Sequence, residues 1–314
     1  MLSVSLSLSL SLFLAAPLTS GQDLDVPAIP GTTGGLRIEP ELAIGYTYRY
    51  VTKREVRARL PEVGLRNLSI EQQARLEVTE RDGGKAGAVV RGRTEHLRVE
   101  MRSPVNALKY DSFEAEDRKS DFGRHLQAGL LERVRVVLNR EGRPIAETIE
   151  GGSFREATAS RYPRYGPDEI ADLVELLLQA QSDGPVRPGQ SWEFRGRREV
   201  EGAGEIEFDL LFRRAGGVEH EGTPCERIIV SGTVSGFLPA AREAEDTIWP
   251  GMRFEEASLR GEMRYDPVLK GYRHLRQSIS LLMETDGGDD PAAESTVVLE
   301  QSTTSRLLHR IPTQ

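Results

Sequence analysis

Apolar side chains recur at every second position in run after run of this chain, and that period constrains the fold more than any other feature. Tyr46, Tyr48 and Tyr50 share one face of the first run, Ala74, Leu76 and Val78 of the second, and Leu97, Val99 and Met101 of the third. Val134, Val136 and Leu138 follow, then Ile206, Phe208, Leu210 and Phe212, and then the apolar run Cys225 to Val234. Leu259, Met263 and Tyr265 lead into Leu275, Ile279, Leu281 and Met283, and Val297, Leu299 and Leu307 close the series. Successive side chains of a strand point to opposite faces of a sheet, so this alternation marks strands with one buried face. Turn sequences separate the runs: Asp82-Gly83-Gly84, Asn139-Arg140-Glu141-Gly142, Gly216-Gly217, Asp266 to Gly271 and Asp286 to Pro291. About a dozen strands with short connections read as an antiparallel meander rather than βαβ winding. An open sheet of that size must curl or split to protect its edges. The expected fold is therefore mainly β: curved antiparallel meander sheets, as a half-barrel or sandwich, with one amphipathic helix.

That helix is the exception to the period of two. Ile170, Leu173, Val174, Leu177 and Leu178 form a stripe of helical period. Pro167, Asp168 and Glu169 suit a helix start, where proline loses no hydrogen bond and acids face the positive end of the dipole. Ser182-Asp183-Gly184-Pro185 stops it. A weaker helical turn is expected over Phe122 to Leu131. Gly45-x-x-Tyr48-x-Tyr50 recurs as Gly189-x-x-Trp192-x-Phe194, which fits an internal duplication with the helix between the copies. Glycine followed by alternating aromatics is equally an ordinary way for a strand to begin. The organisation expected is a signal peptide over 1–21, a Pro/Gly-rich linker over 22–43, a first β unit over 44–166, the helix over 167–182 and a second β unit over 183–310.

Met1 to Pro17 contain no charged side chain, and the small residues Thr19 and Gly21 precede Gln22. This reads as a secretory signal peptide, because the stretch is short and serine-diluted against the roughly 20 apolar residues a membrane span needs. The chain is expected to be exported, periplasmic or extracellular, with no transmembrane anchor after cleavage. A single cysteine, Cys225, excludes an intramolecular disulfide framework and any multi-cysteine metal site. It opens an apolar strand and reads as a small core residue. The net charge of −8 argues against nucleic acid as a partner.

The motifs of catalysis are missing. His220-Glu221 begins like a zinc-protease helix, but Pro224 stands where the second ligand belongs. Lys85 follows two glycines, yet Ala86 replaces the hydroxyl residue of a phosphate loop. His96, His125, His220, His274 and His309 are scattered singly; of these, His96 and His274 are the strand histidines open to a catalytic role. Asp286 to Asp290 lacks the spacing of a calcium loop and reads as a turn. Asn67-Leu68-Ser69 fits a glycosylation sequon. The basic residues comprise 36 Arg and 5 Lys, interleaved with acids such as Glu77, Glu95 and Glu100, so they form no plain anionic-ligand stripe. No catalytic residue, metal ligand or cofactor is assigned, and the chain is not expected to be an enzyme.

Pro185-Val186-Arg187-Pro188-Gly189-Gln190-Ser191-Trp192 resembles a feature of an uncharacterised family of exported bacterial β-rich proteins, and the hairpin from Tyr265-Asp266 to Gly271-Tyr272 fits the same pattern. The likeness spans roughly Ile44 to Leu308 and implies no activity. A more distant likeness is to the lipoprotein-carrier half-barrels of the cell envelope, which implies a curved sheet wrapped around an apolar cavity with helices as a lid. The expected function is non-catalytic binding of an apolar or lipid-like ligand. Tyr46, Tyr48, Tyr50, Ile170, Leu173, Leu177 and Trp192 are the candidate ligand-binding residues. The alternatives are a structural or interaction module for other envelope proteins and, behind it, a hydrolase.

Overall fold

A computed structural model describes residues 34–60, 64–80, 87–104, 106–140, 142–150, 167–200, 204–238, 242–243, 247–248, 252–285 and 296–313. The expected signal peptide, residues 22–33 of the expected linker and the turn at 286–291 lie outside these residues. The first meander comprises β1 (Tyr46–Leu60), β2 (Gly64–Glu80), β3 (Ala88–Arg102), β4 (Ala107–Asp111), β5 (Arg133–Leu138) and β6 (Pro144–Glu150). Helices α1 (Ala115–Lys119) and α2 (Asp121–Leu131) lie between β4 and β5, and α3 (Pro167–Leu178) follows β6. The second meander comprises β7 (Ser191–Val200), β8 (Gly204–His220) and β9 (Thr223–Leu238), a separate two-stranded ribbon of β10 (Arg242–Glu243) and β11 (Thr247–Ile248), then β12 (Met252–Asp266), β13 (Gly271–Thr285) and β14 (Thr296–Pro312).

The two meanders form one open sheet of 12 strands, in the order β6-β5-β3-β2-β1-β14-β13-β12-β9-β8-β7, with β4 added to β3. Every pairing is antiparallel, and β1 joins β14 over nearly its whole length. The chain walks across the sheet from β1 to β6, restarts at the opposite edge with β7, and walks in the same direction to β14. The expectation of curved antiparallel meanders thus holds, as a single sheet. The expected amphipathic helix is α3, the weaker turn expected over Phe122 to Leu131 is the helix α2, and α1 joins them. Ser120 caps α2, its Oγ accepting from the Gly123 N–H at 2.9 Å.

Curvature has an identifiable source. Besides register shifts at Ile145 of β6 and within residues 254–257 of β12, the pairing slips by one residue at four further places, leaving Glu95 of β3, Ala215 of β8, Arg273 of β13 and Leu308 of β14 without a partner in those ladders. These four bulges flank one transverse row of partners, Arg227–Arg264–His274–Arg306–Val51–Gln73–His96. A bulge bends its strand and increases the twist, so four on one line crease the sheet across its strands. Gly216-Gly217, expected to turn the chain, lies inside β8 beside one of these bulges. The turn comes later, at Glu221 and Gly222, whose φ values of 49° and 74° fit a two-residue hairpin loop.

The creased sheet closes on a core drawn from both meanders, including Tyr48, Leu76, Val90, Val136, Phe212, Ile228, Val230, Leu259, Met263 and Ile279. Helix α3 rests on β3, β5 and β6. It ends at Leu178, short of the expected Ser182, and Ala180 adopts a φ of 65°. Gly92 of β3 lets it sit close: a Cβ there would lie 2.2 Å from Ile170 Cγ2. The chain after α3 pairs with residues 34–43, where Leu36 bridges Val186 and Ile38 exchanges 2.9 Å hydrogen bonds with Ser182. This strap buries Ile38 and Leu42, so the described end of the Pro/Gly-rich segment belongs to the core. A second, smaller cluster unites Ile70, Leu97, Val99 and Tyr110 with Phe122 and Leu126 of α2. Among the described residues, no helix is long and apolar enough to cross a membrane.

Candidate functional site

The concave interior brings together all seven candidate residues. Tyr48, Tyr50, Ile170, Leu173 and Leu177 are buried in the main cluster, and Tyr46 and Trp192 pack against it half-buried. The tyrosines are held by their hydroxyls as well as their rings. Tyr48 Oη accepts from the Ala43 N–H at 2.8 Å, and Tyr50 O–H donates to the Tyr272 carbonyl at 3.2 Å. Tyr272 O–H donates to the Gln179 carbonyl at 2.9 Å, just past the end of α3, and Tyr265 O–H donates to the Glu39 carbonyl at 3.3 Å. Burial raises the pKa of all four hydroxyls, which therefore stay protonated. Of the two, the alternation assigned Tyr265 to the core without showing its link to the strap, and Tyr272 is a site residue that it did not single out.

Helix α3 is enclosed rather than laid on a surface. Ile170, Ala171, Asp172, Leu173, Val174, Leu176 and Leu177 are each 3% exposed or less, although Ala171, Asp172 and Leu176 lie off the apolar stripe. Beneath it runs a lane of inward polar residues: Gln72, Gln277, Gln301, Thr303 and Ser305 are buried, with Thr52 bonded to Ser305 at 2.9 Å. Asp172 lies 3.8 Å from Arg54 at this lane. A narrow space of about 20 Å³ lined by Thr52, Gln72, Asp172, Leu173, Thr303 and Ser305 lies between helix and sheet, room for one water. The lane was visible in the sequence as glutamine and threonine interrupting inward positions. Trp192 stacks on Phe212 with ring centroids 5.6 Å apart and borders a shallow groove beside Ser182, Pro185 and Gln190.

Two charged groups fasten the interior. Arg214 and Glu226 form a bidentate pair at 2.8 and 2.9 Å, both side chains 2% exposed. Arg214 Nη1 also donates to the carbonyls of Gly34 and Val186 at 2.7 Å each, which locks the strap to β8. Cys225 is buried, as expected, and burial pushes its thiol up to about 11, away from thiolate chemistry.

The two strand histidines have different surroundings. His96 Nε2 lies 2.8 Å from Asp111 Oδ1, and Phe113 stacks on the imidazole at 4.1 Å between centroids. Burial acts to raise the Asp111 carboxyl, but the Phe113 N–H, His96 and Arg98 outweigh it and hold the group at about 2. The neighbouring Ser112 hydroxyl is engaged by the Leu97 N–H at 3.0 Å. This cluster anchors the chain after β4 to the outer face. His274, by contrast, meets His220 with ring centroids 5.4 Å apart. The histidines that looked solitary in sequence thus include a spatial pair, because the β8–β9 hairpin tip folds over β13. His125 has no described side chain, and His309 is exposed.

Among known proteins, no family model and no curated sequence matches this chain. Lipovitellin, in a structure concerned with its lipid–protein interactions, is similar at a TM-score of 0.47 and 13% identity, over 87% of this chain and 26% of lipovitellin. The chain thus spans about a quarter of that protein's length. DynF, from the dynemicin biosynthesis pathway of Micromonospora chersina, is similar at a TM-score of 0.23 and 9% identity over 95% of this chain and 96% of its own. OpdQ of Pseudomonas aeruginosa is similar at 0.18 and 8% identity, over 86% and 99% respectively. At these scores the likenesses assign no function, and the geometry alone bears on it.

Proposed function

We propose that this chain is a non-catalytic, exported binding protein whose creased sheet takes up an apolar or lipid-like ligand in the space that α3 and the strap fill here. The observation that carries the reading is the enclosure of α3. One helix of 12 residues serves as the filling of a wide apolar wall, and it rests on β3, β5 and β6 while β8, β9, β12 and β13 extend the wall beyond it. Tyr46, Tyr48, Tyr50 and Trp192 would line the ligand on the wall, and Ile170, Leu173 and Leu177 are the contacts it would replace or share. Apolar wall with a few placed polar groups is the usual chemistry of a small-molecule site. A second reading, docking to envelope proteins, draws on the free edges β6 and β7, where Ile145 and Phe194 are exposed.

Native mass spectrometry of the mature protein purified from its own cell envelope, followed by organic extraction, tests the proposal. A stoichiometric apolar adduct is expected, together with saturable uptake of a fluorescent fatty acid by the stripped protein. A clean apo mass with no saturable uptake would refute it. Crosslinks to envelope proteins through β6 or β7 would then favour docking.

A further inference from the structure

The outer face of the sheet carries an arrangement that ligand uptake on the concave side does not use. Arg227 of β9, Arg264 of β12, His274 of β13 and Arg306 of β14 are successive cross-strand partners, so four basic side chains stand side by side on adjacent strands. Directly opposed like charges destabilise a sheet unless something neutralises them. Two carboxylates do so in part. Glu262 pairs with Arg227 at 2.8 Å and also with Arg264, and Glu221 of the hairpin tip pairs with Arg306 at 3.3 Å. Arg276, one pleat along β13, is the cross-strand partner of Glu262 and adds a further positive charge to the same face.

The remaining deficit is local. His220 Nε2 and Arg264 Nη1 are both buried and have no hydrogen-bond partner among the described residues. They flank the same side chain: Arg264 stands opposite His274 in the ladder, and the His220 ring lies against that of His274. An occupant that satisfied both must accept a hydrogen bond from a guanidinium, which a cation cannot do. His274 connects these two groups to a groove of about 320 Å³ that it lines with Lys53, Glu71, Gln73, Thr304 and Arg306. Burial, His220 and Arg264 together lower the pKa of His274. An anion placed among these groups would reverse that bias and favour the imidazolium, which adds a donor to the site.

We infer that this row and the hairpin tip above it form a site for a single oxyanion of the phosphate class, held between His220 and Arg264 and reached through the Lys53–Arg306 groove. Arg264 and Arg306 supply planar donor forks suited to tetrahedral oxyanions. The site lies on the opposite face from the apolar interior and stands whether or not that interior takes up a lipid.

The test is a titration of the full mature chain at low ionic strength, read by calorimetry and by the nitrogen resonances of the histidine rings. Sulfate, whose charge is constant over the range, isolates the protein's own titration; inorganic phosphate and glycerol phosphate distinguish a free ion from a phosphorylated headgroup. The expected result is 1:1 saturable binding that moves the His220 and His274 resonances together and weakens about tenfold as pH rises from about 5.5 to 7.5. Arg264→Gln and His220→Gln each weaken binding about tenfold, as loss of a charge-assisted hydrogen bond would. Arg264→Lys recovers part of the loss and guards against a folding defect, and His309→Gln leaves binding unchanged. Tighter binding of glycerol phosphate than of phosphate assigns the site to a headgroup, and the reverse assigns it to the free ion. Titrations in which the two rings do not respond together, or in which Arg264→Gln binds like the parent, overturn the inference.

Discussion

Replacing Gly92 by alanine asks whether the seat of α3 on β3 is as close as the geometry requires. The added Cβ would lie 2.2 Å from Ile170 Cγ2 and 3.1 Å from both Leu76 Cδ2 and Val134 Cγ1. All three neighbours are buried, with exposures of 0–1%, so none has free space into which to retreat. Overpacking of this kind costs about 1–3 kcal/mol. Gly92 has no left-handed φ, so alanine suits its backbone and restricts the unfolded chain, which returns about 0.4–1 kcal/mol. The net expectation is a destabilisation of about 1–2 kcal/mol, or about 2–6 °C in Tm for a chain of this size. Ile170→Ala alone should cost about 2–5 kcal/mol, but it removes the methyl that Gly92→Ala strikes. The double variant should therefore be more stable than the sum of the two losses by about 1 kcal/mol or more. Urea unfolding of the four proteins measures this, with Gly184→Ala, where nothing lies within 4 Å, as a control expected within about 0.5 kcal/mol of the parent. Strict additivity of Gly92→Ala and Ile170→Ala would refute the claim that glycine is there to admit the helix. If the helix fills a ligand site, Gly92→Ala should also tighten fatty-acid uptake, because it weakens the competitor for the wall.

Other perturbations separate the remaining contacts. Arg214→Met should cost about 3–5 kcal/mol in urea unfolding by stranding buried Glu226, and Arg214→Met with Glu226→Leu should recover only part, because the Gly34 and Val186 carbonyls still lose their donor. Tyr272→Phe should cost about 1 kcal/mol and raise hydrogen exchange in residues 179–186, since the hydroxyl holds the Gln179 carbonyl. The Asp111 carboxyl is held at about 2 against an ordinary 3.8, so its stabilisation is present above pH 3.8 and lost as pH falls toward 2; Asp111→Asn should flatten the stability profile across that window by on the order of 1–2 kcal/mol. His274 has a lowered pKa, so its neutral form suits the fold above the ordinary 6.5 and stability is lost as pH falls below it; His274→Gln should remove that decline in oxyanion-free buffer.

The period of two made the strands legible, because one-sided burial imposes alternation on each ladder wherever the pairing is regular. It could not show the bulges. Between Thr94 and Leu97 of β3 the inward face passes from even to odd positions, since Glu95 is skipped in the pairing with β2. The same change occurs between Tyr272 and Leu275 of β13, and the reverse, from odd to even, between Leu307 and Arg310 of β14. Each slip resembles an irregularity in a single run, and only the partner strand reveals that the slips fall on one line. The crease those slips make folds β8 and β9 far enough over for His220 to reach His274, 54 positions away in the chain.

Helix α3 was legible for a different reason. Its apolar stripe at Ile170, Leu173, Val174 and Leu177 is a local pattern, but a stripe predicts one buried face, and burial extends to Ala171, Asp172 and Leu176 as well. That excess enclosure is the work of the sheet: strands distant in sequence curl past the helix and reach its off-stripe residues, as Arg54 of β1 does at Asp172. The strap was hidden by its composition. Prolines and glycines around Ile38 and Leu42 suggest a linker when no partner is in view, whereas Ser182, Tyr48, Tyr265 and Arg214 supply the hydrogen bonds that a segment without regular structure needs before it can be buried. The same sheet curvature that hides α3 on the inside gathers the basic row on the outside, so a substitution that flattens the crease should disturb both sites together.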